Sequence, residues 1–472
     1  MRYISTRGQA EPRDFNGVLL AGLAEDGGLF MPEVWPERSA AEWRSLRGLP
    51  YAELAARVMH PFMGSAIDLD TLRDLCGLAY AGFDHPATVP LVQLDDGLWV
   101  QELFHGPTLA FKDMALQLLG HLFQHVLEQR DETLTIVGAT SGDTGSAAIE
   151  ACRDRARIKI AILHPEGRTS EVQRRQMTTV TAANVFNIAV DGTFDDCQDM
   201  VKSLFADQRF RTEMRLSAVN SINWARIAAQ IPYYVASALA LGAPDREVAF
   251  AVPTGNFGNV LAAWAAKRMG LPISRLIIGS NHNDILTRFL AANDMTARGV
   301  DPSMSPSMDI QVSSNFERLL FELMGRDAVA TAGLMRDFRA TGRMPVPDAA
   351  WSKATELFQG LALSDAETSA AIRQIHDTTG YLTDPHTAIG IEAARAARLP
   401  HSTPIIAMAT AHPAKFPDAV EQATGIRPSL PPRLAHLMSG TEHFTRAPND
   451  LAAVETLLRA FVQRNDAWGT AA

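Results

Sequence analysis

The stretch FHGPTLAFKDMAL, from Phe104 to Leu116, puts a lysine where folding alone gives it no advantage. Lys112 follows a His-Gly-Pro-Thr turn and opens an apolar-periodic run (Met114, Ala115, Leu116, Leu118, Leu119) whose spacing predicts a helix. A cation in a first helical turn faces the positive end of the macrodipole, so the position costs stability unless the amine has another use. Lysine is scarce here, six in all, and Lys159, Lys202, Lys267 and Lys353 read as solvated or snorkelling. Lys112 and Lys415, the latter in HPAKFP, lie in loop-to-helix settings where an amine can face a cleft and bond a carbonyl carbon. The residues alone leave both open.

Three loops add groups that suit anions or a heterocycle. ATSGDTGSAA, Ala139 to Ala148, joins a strand to a helix and brings the hydroxyls of Thr140, Ser141 and Thr144 to a helix N-terminus, a setting for a carboxylate or phosphate. The plainer reading is that Asp143 or Thr144 is the N-cap. It matches neither a Walker A motif nor GxGxxG, which argues against a nucleotide. PTGNFGNV, Pro253 to Val260, repeats the arrangement without a basic residue; Gly255 and Gly258 let backbone amides approach a phosphate. TAHPAKF, Thr410 to Phe416, places a hydroxyl at a strand end, where it can meet a pyridine nitrogen. An amine, a phosphate loop and a carboxylate loop together suit pyridoxal 5'-phosphate with an amino-acid substrate beside it.

Strands must end beneath such loops. Beyond Leu116 apolar strands alternate with helical runs, the pattern of parallel α/β sheets with crossover helices. TLTIVG leads into the first loop, VAFAVP into the second and PIIAMAT into the third, while IKIAIL, NVFNIAV and RLIIGS read as further strands. Ligands of open α/β sheets bind beyond the carboxyl ends of strands, where these loops fall. PLVQLDDGLWVQELF reads as two short strands around an Asp-Asp-Gly turn. Residues 1–90 carry turns and short helical patterns with little strand signal, predicting a small, mostly helical N-terminal domain. A catalytic α/β region over 91–432 follows, with a smaller subdomain of about 115–225 inserted in it, then a helical tail over 433–472.

The 472 residues, 47% hydrophobic and 20% charged, have room for two or three domains. A net charge of -10 argues against nucleic-acid or anionic-membrane partners. Cys76, Cys152 and Cys197 have no CxxC spacing, so neither a disulfide framework nor a zinc site is expected. The opening MRYISTRGQ lacks the apolar core of a signal peptide and no run approaches membrane-spanning length, so a cytoplasmic location is expected.

Across nearly its whole length the sequence resembles the threonine synthase family in its longer form, with an extra N-terminal domain. The resemblance is carried by YISTRG and GLAEDGGLFMP, HGPTLAFKD, TSGDTGSAA, GTFDDCQ, SINWARI, PTGNFGNV, PSMDIQVSSNFERL and ATAHPAKF. It implies the pyridoxal-phosphate fold type II, like the tryptophan synthase β chain, with two open α/β domains. It implies Lys112, rather than Lys415, as the Schiff-base lysine. Gly255, Asn256, Phe257, Gly258 and Asn259 would cradle the cofactor phosphate, and Thr410 would meet the ring nitrogen. Thr140, Ser141 and Thr144 would hold the substrate carboxylate. Asn220, Ser221, Asn223 and Arg226 would hold the substrate phosphate, with Arg226 suited by charge and fork geometry. Asp143 departs from the fold type, since many relatives have Asn beside the cofactor's 3′ oxygen and an ionised Asp cannot donate there. The implied reaction converts O-phospho-L-homoserine and water to L-threonine and phosphate, in a monomer or homodimer. Two other readings stay open on the residues: a fold type II lyase acting on serine-like or threonine-like amino acids, and a non-catalytic α/β protein binding a phosphorylated metabolite.

Overall fold

The computed structural model describes residues 1–466. Internal contacts divide the chain into two units, one of Met1–Leu19, Leu23–Phe111 and Ser221–Ser429, the other of Leu20–Gly22, Lys112–Asn220 and the chain from Leu430 onward.

The first unit holds a sheet in the order Phe358–Ala362, Ile273–Ser280, Val248–Pro253, Ile405–Ala409, Leu98–Glu102, Leu91–Asp95. Its neighbours are parallel except the last pair, which is the expected hairpin around Asp96 and Gly97. VAFAVP is buried at every position, as a parallel strand covered on both faces must be. The helix Pro385–Ala396 covers one face with small residues: Ala388, Ile391 and Ala394 pack with Val100, Ala251, Ile277 and Ala407. Strand order reverses at Val248–Pro253, flanked by Ile273–Ser280 on one side and Ile405–Ala409 on the other. Such a switch point opens a crevice at the carboxyl ends, and the glycine loop and Thr410 leave the sheet there.

In the second unit the strands Thr445–Pro448, Val185–Asp191, Ile158–Pro165, Leu134–Ala139 and Leu216–Ser217 lie side by side, all parallel. Leu134–Ala139 sits at this sheet's own switch point and runs into the Ala139-to-Ala148 loop. Val137, Leu163 and Ile188 pack with Cys197, Met200 and Leu204 of the helix Phe194–Ala206 and with Val454, Leu458 and Phe461 of the helix Leu451–Asp466.

The strands expected from apolar runs are present. Short ones were not foreseen: Tyr3–Ser5 paired with Phe30–Pro32 inside the N-terminal region, and Leu216–Ser217, Phe358–Ala362 and Thr445–Pro448 at sheet edges. Runs of two to five residues are too brief for a period of two to stand out. The N-terminal region does carry the helices Tyr51–Met63 and Leu69–Tyr80, and Trp35 joins it to the rest of its unit through edge contacts with Trp224 and Trp264. The tail begins as a 3-10 turn over Pro432–Met438 before its strand and helix; residues 467–472 of the predicted tail lie outside the described residues.

Candidate active site

Lys112 is the first residue of the helix Lys112–Arg130 and is 8% exposed. Its Nζ lies 3.1 Å from Oδ2 of Asp143, the first residue of the helix Asp143–Cys152. Asp143 faces a helix N-terminus, which favours its carboxylate, and Gln173 Nε2 donates to its other oxygen at 2.8 Å. Gln173 is itself set by Ser170, whose side chain caps the helix Glu171–Thr178. The N-cap of the Asp143 helix is Gly142, not Asp143 or Thr144, so the carboxylate is left to face the amine.

Thr140 proves to be a brace. Its buried Oγ1 accepts the N–H groups of Gly142 and Gly145, each at 2.9 Å, and so bends the loop. Ser141 and Thr144 remain partly exposed, and neither their hydroxyls nor their N–H groups are engaged by the described residues.

The segment before Lys112 is strapped to the Thr410 strand end. Phe111 N–H donates to Thr410 O at 2.8 Å and His412 N–H to Leu109 O at 3.0 Å, with Leu109 held at φ 63°. Lys415 is fully buried and its Nζ donates to Thr108 O at 2.8 Å, bracing the His-Gly-Pro-Thr turn. This structural task separates the two lysines that the sequence left open. Among the others, Lys159 and Lys267 bind backbone carbonyls and Lys202 pairs with Asp199.

The glycine loop is shaped from behind. Ser313 Oγ donates to Gly255 O at 2.8 Å, and Asn315 holds Asn256 O through both its N–H (3.1 Å) and Nδ2 (3.0 Å). Those two carbonyls are tied back, Phe257 lies in the left-handed region at φ 61°, and the N–H groups of residues 255 to 259 belong to this turn and the helix start that follows it. None of them has an acceptor among the described residues. Unpartnered N–H groups at a helix N-terminus suit an anion such as a phosphate monoester. A Cβ on Gly255 would collide with Ser307 O, so only glycine fits. The Tyr233 and Tyr234 hydroxyls donate to Asn259 Oδ1 and so fix its amide, whose buried Nδ2 has no partner among the described residues and is left free to donate.

Thr410 is 6% exposed, its N–H donates to Thr387 Oγ1, and no described residue engages its hydroxyl. In SINWARI, Asn223 is a helix cap: Oδ1 accepts Ala225 N–H at 3.0 Å and Nδ2 donates to Leu19 O at 2.9 Å. Its side chain is therefore occupied. Ser221 is partly exposed and its carbonyl is bound by Asn315, which ties SINWARI to the glycine loop. Asn220, exposed, ends the Lys112–Asn220 segment of the second unit. Arg226 is a buried arginine, 3% exposed, and burial pushes its guanidinium down to about 10, so it stays a cation at neutral pH.

SSNFER works as a truss. Arg318, with no exposed surface, donates to Phe30 O, Ile222 O and Asn315 Oδ1, while Glu317 binds Thr6 and Arg7.

One unit holds a buried lysine beside a carboxylate and the other a glycine loop at a helix N-terminus and a strand-end hydroxyl; each feature by itself is one expected of a pyridoxal-phosphate-dependent α/β enzyme of fold type II. Family models agree: "Threonine synthase N terminus" matches residues 2–80, "Pyridoxal-phosphate dependent enzyme" 84–333 and "Threonine synthase, C-terminal" 387–458. The threonine synthase of Pseudomonas aeruginosa is 55% identical over 97% of this chain and 98% of its own length. A crystal structure of PLP-bound threonine synthase from Brucella melitensis superposes with a TM-score of 0.96 at 50% identity, covering 98% of this chain and 99% of that one. The yeast enzyme's structure gives 0.93 at 37% identity, with 98% and 99% covered. The chain belongs to the threonine synthase family.

Proposed function

We infer that this chain converts O-phospho-L-homoserine and water to L-threonine and phosphate with pyridoxal phosphate as cofactor. The observation that carries the reading is the set of unpartnered N–H groups of residues 255 to 259 at a helix N-terminus, which suit a phosphate monoester, in a chain whose buried, carboxylate-paired Lys112 supplies an amine.

Lys112 Nζ would hold the cofactor aldehyde, residues 255 to 259 its phosphate and Thr410 its ring nitrogen. Bound there, the cofactor supplies an electron sink for the bonds broken at the substrate's Cα and Cβ. Lys112 Nζ would accept the substrate's Cα proton and, at the end of a long flexible stem, serve the later proton transfers at Cβ and Cγ. Asp143, fixed by Gln173, holds that amine in register. Ser141 and Thr144 receive the substrate carboxylate with hydroxyls and backbone N–H groups, while Thr140 keeps their loop bent. Arg226 would hold the departing phosphate; its burial makes it a strong partner for a dianion. Across the reaction the Cγ–O bond breaks and phosphate leaves, Cγ gains a proton, and Cβ loses one proton and gains water's hydroxyl, so that substrate and water together make up threonine and phosphate.

The three cysteines are buried and unpaired, which supports a reducing, cytoplasmic setting, and no helix among the described residues is long and apolar enough to cross a membrane.

A phosphate-release assay on O-phosphohomoserine, coupled to threonine detection, tests the reaction. Equal amounts of phosphate and threonine are expected. Cofactor-loaded protein that releases no phosphate but eliminates from serine would move the chain to the lyase reading.

A further inference from the structure

The start of the helix Pro385–Ala396 gathers buried side chains that the reaction does not use. Asp384, with no exposed surface, caps the helix through the N–H groups of His386 (3.0 Å) and Thr387 (3.2 Å). The same carboxylate faces His386 Nδ1 at 2.8 Å and accepts the Thr387 hydroxyl. The cap needs only the backbone contacts. The side chains carry the connection further.

His386 is 4% exposed, and its Nε2 accepts the N–H of Ser307, a residue 79 positions away in sequence, at 3.2 Å. With Nδ1 directed at a carboxylate, the ring holds its hydrogen there and presents a lone pair to Ser307. Ser307 is the residue whose carbonyl oxygen lies against Gly255. On the other arm, Thr387 Oγ1 gives its proton to Asp384 and accepts the N–H of Thr410 at 3.2 Å. One buried carboxylate therefore reaches both the loop that backs the phosphate nest and the strand end that bears Thr410.

We propose that Asp384, His386 and Thr387 are positioning residues for the cofactor, with the His386–Ser307 arm setting the phosphate nest and the Thr387 arm setting Thr410 at the ring nitrogen. The inference rests on the assignment of the nest to the cofactor phosphate. It places two separate tasks on neighbouring residues, and a probe lacking the phosphate distinguishes them.

The full-length chain, freed of cofactor, is titrated with pyridoxal phosphate and with pyridoxal, following tryptophan fluorescence and visible absorption. Wild type binds pyridoxal phosphate much the more tightly. His386→Leu leaves the Ser307 N–H unmet and weakens pyridoxal phosphate binding about tenfold, with pyridoxal binding unchanged. His386→Gln, whose amide oxygen can accept that N–H, recovers most of the loss. Thr387→Val weakens both probes by one factor and shifts the visible band of the lysine-bound cofactor. If the leucine variant does not fold, His386→Asn, too short to reach Ser307, makes the same comparison. Equal weakening of both probes by loss of the His386 contact, or no weakening of either, overturns the proposal. Wild type that binds the two probes equally would instead remove the phosphate-nest assignment on which it rests.

Discussion

Lys112 and Asp143 show how a residue's type and its placement combine. A cation at a helix start is disfavoured by the macrodipole, yet the carboxylate at the start of a neighbouring helix meets it at 3.1 Å with both groups nearly buried. Removing one partner of such a pair leaves a buried charge poorly compensated, so Asp143→Asn should lower the stability of the cofactor-free protein by about 3 kcal/mol, read from urea unfolding. Lys112→Ala should abolish the visible band and cut turnover by about a thousandfold or more. The lysine was legible because its context defied the helix dipole. Gln173 and His386 were not, since a glutamine in a polar helix and a histidine after an Asp-Pro helix start each have an ordinary explanation. Thr140 and Asn223 were expected at the substrate, yet in the fold one is a brace and the other a cap. Their short polar side chains reach local backbone first, and sequence does not tell which partner wins.

At the scale of elements, the proposed phosphate nest is shaped by what stands behind it. Ser313 and Asn315 tie back two carbonyls, Phe257 takes a left-handed φ, and Ser307 leaves no room for a side chain at Gly255. Gly255→Ala should weaken cofactor binding by about tenfold to a hundredfold through the forced shift of one loop, measured by titration of the apoprotein. Asn315→Ala removes bonds to Asn256, Ser221 and Arg318 at once and should cost about 3 kcal/mol of stability. The strand, glycine loop and helix were plain from VAFAVP and GNFGN, because apolar runs and glycines are local signals. The truss was not, since SSNFER lies far along the chain from the loop it supports and only the fold brings them together.

For the whole molecule, the alternating pattern predicted parallel sheets, and each sheet places its ligand loop at a switch point. Pairing order across a sheet depends on long-range packing, so neither the edge strands nor the return of Thr445–Pro448 to the second sheet could be read from sequence. That return brings Leu458 into the second unit's core, and Leu458→Ala should destabilise it by about 3 kcal/mol. Acid should destabilise the protein in a defined window. Burial, aided by the Arg155 cation, pushes His121 down to about 4, and burial lowers His164 as well. The unfolded chain protonates these rings near 6.5 while the folded chain resists, so it binds more protons as pH falls from about 6.5 to about 4 and stability drops. Tm should be lower at pH 5 than at pH 7, and the gap should narrow in His121→Gln. The claim on which all else depends is that Lys112 carries the cofactor. Borohydride reduction of the loaded protein followed by peptide mapping tests it directly. The cofactor label should be fixed on the peptide containing Lys112; a label on Lys415, or none on any lysine, would contradict the account.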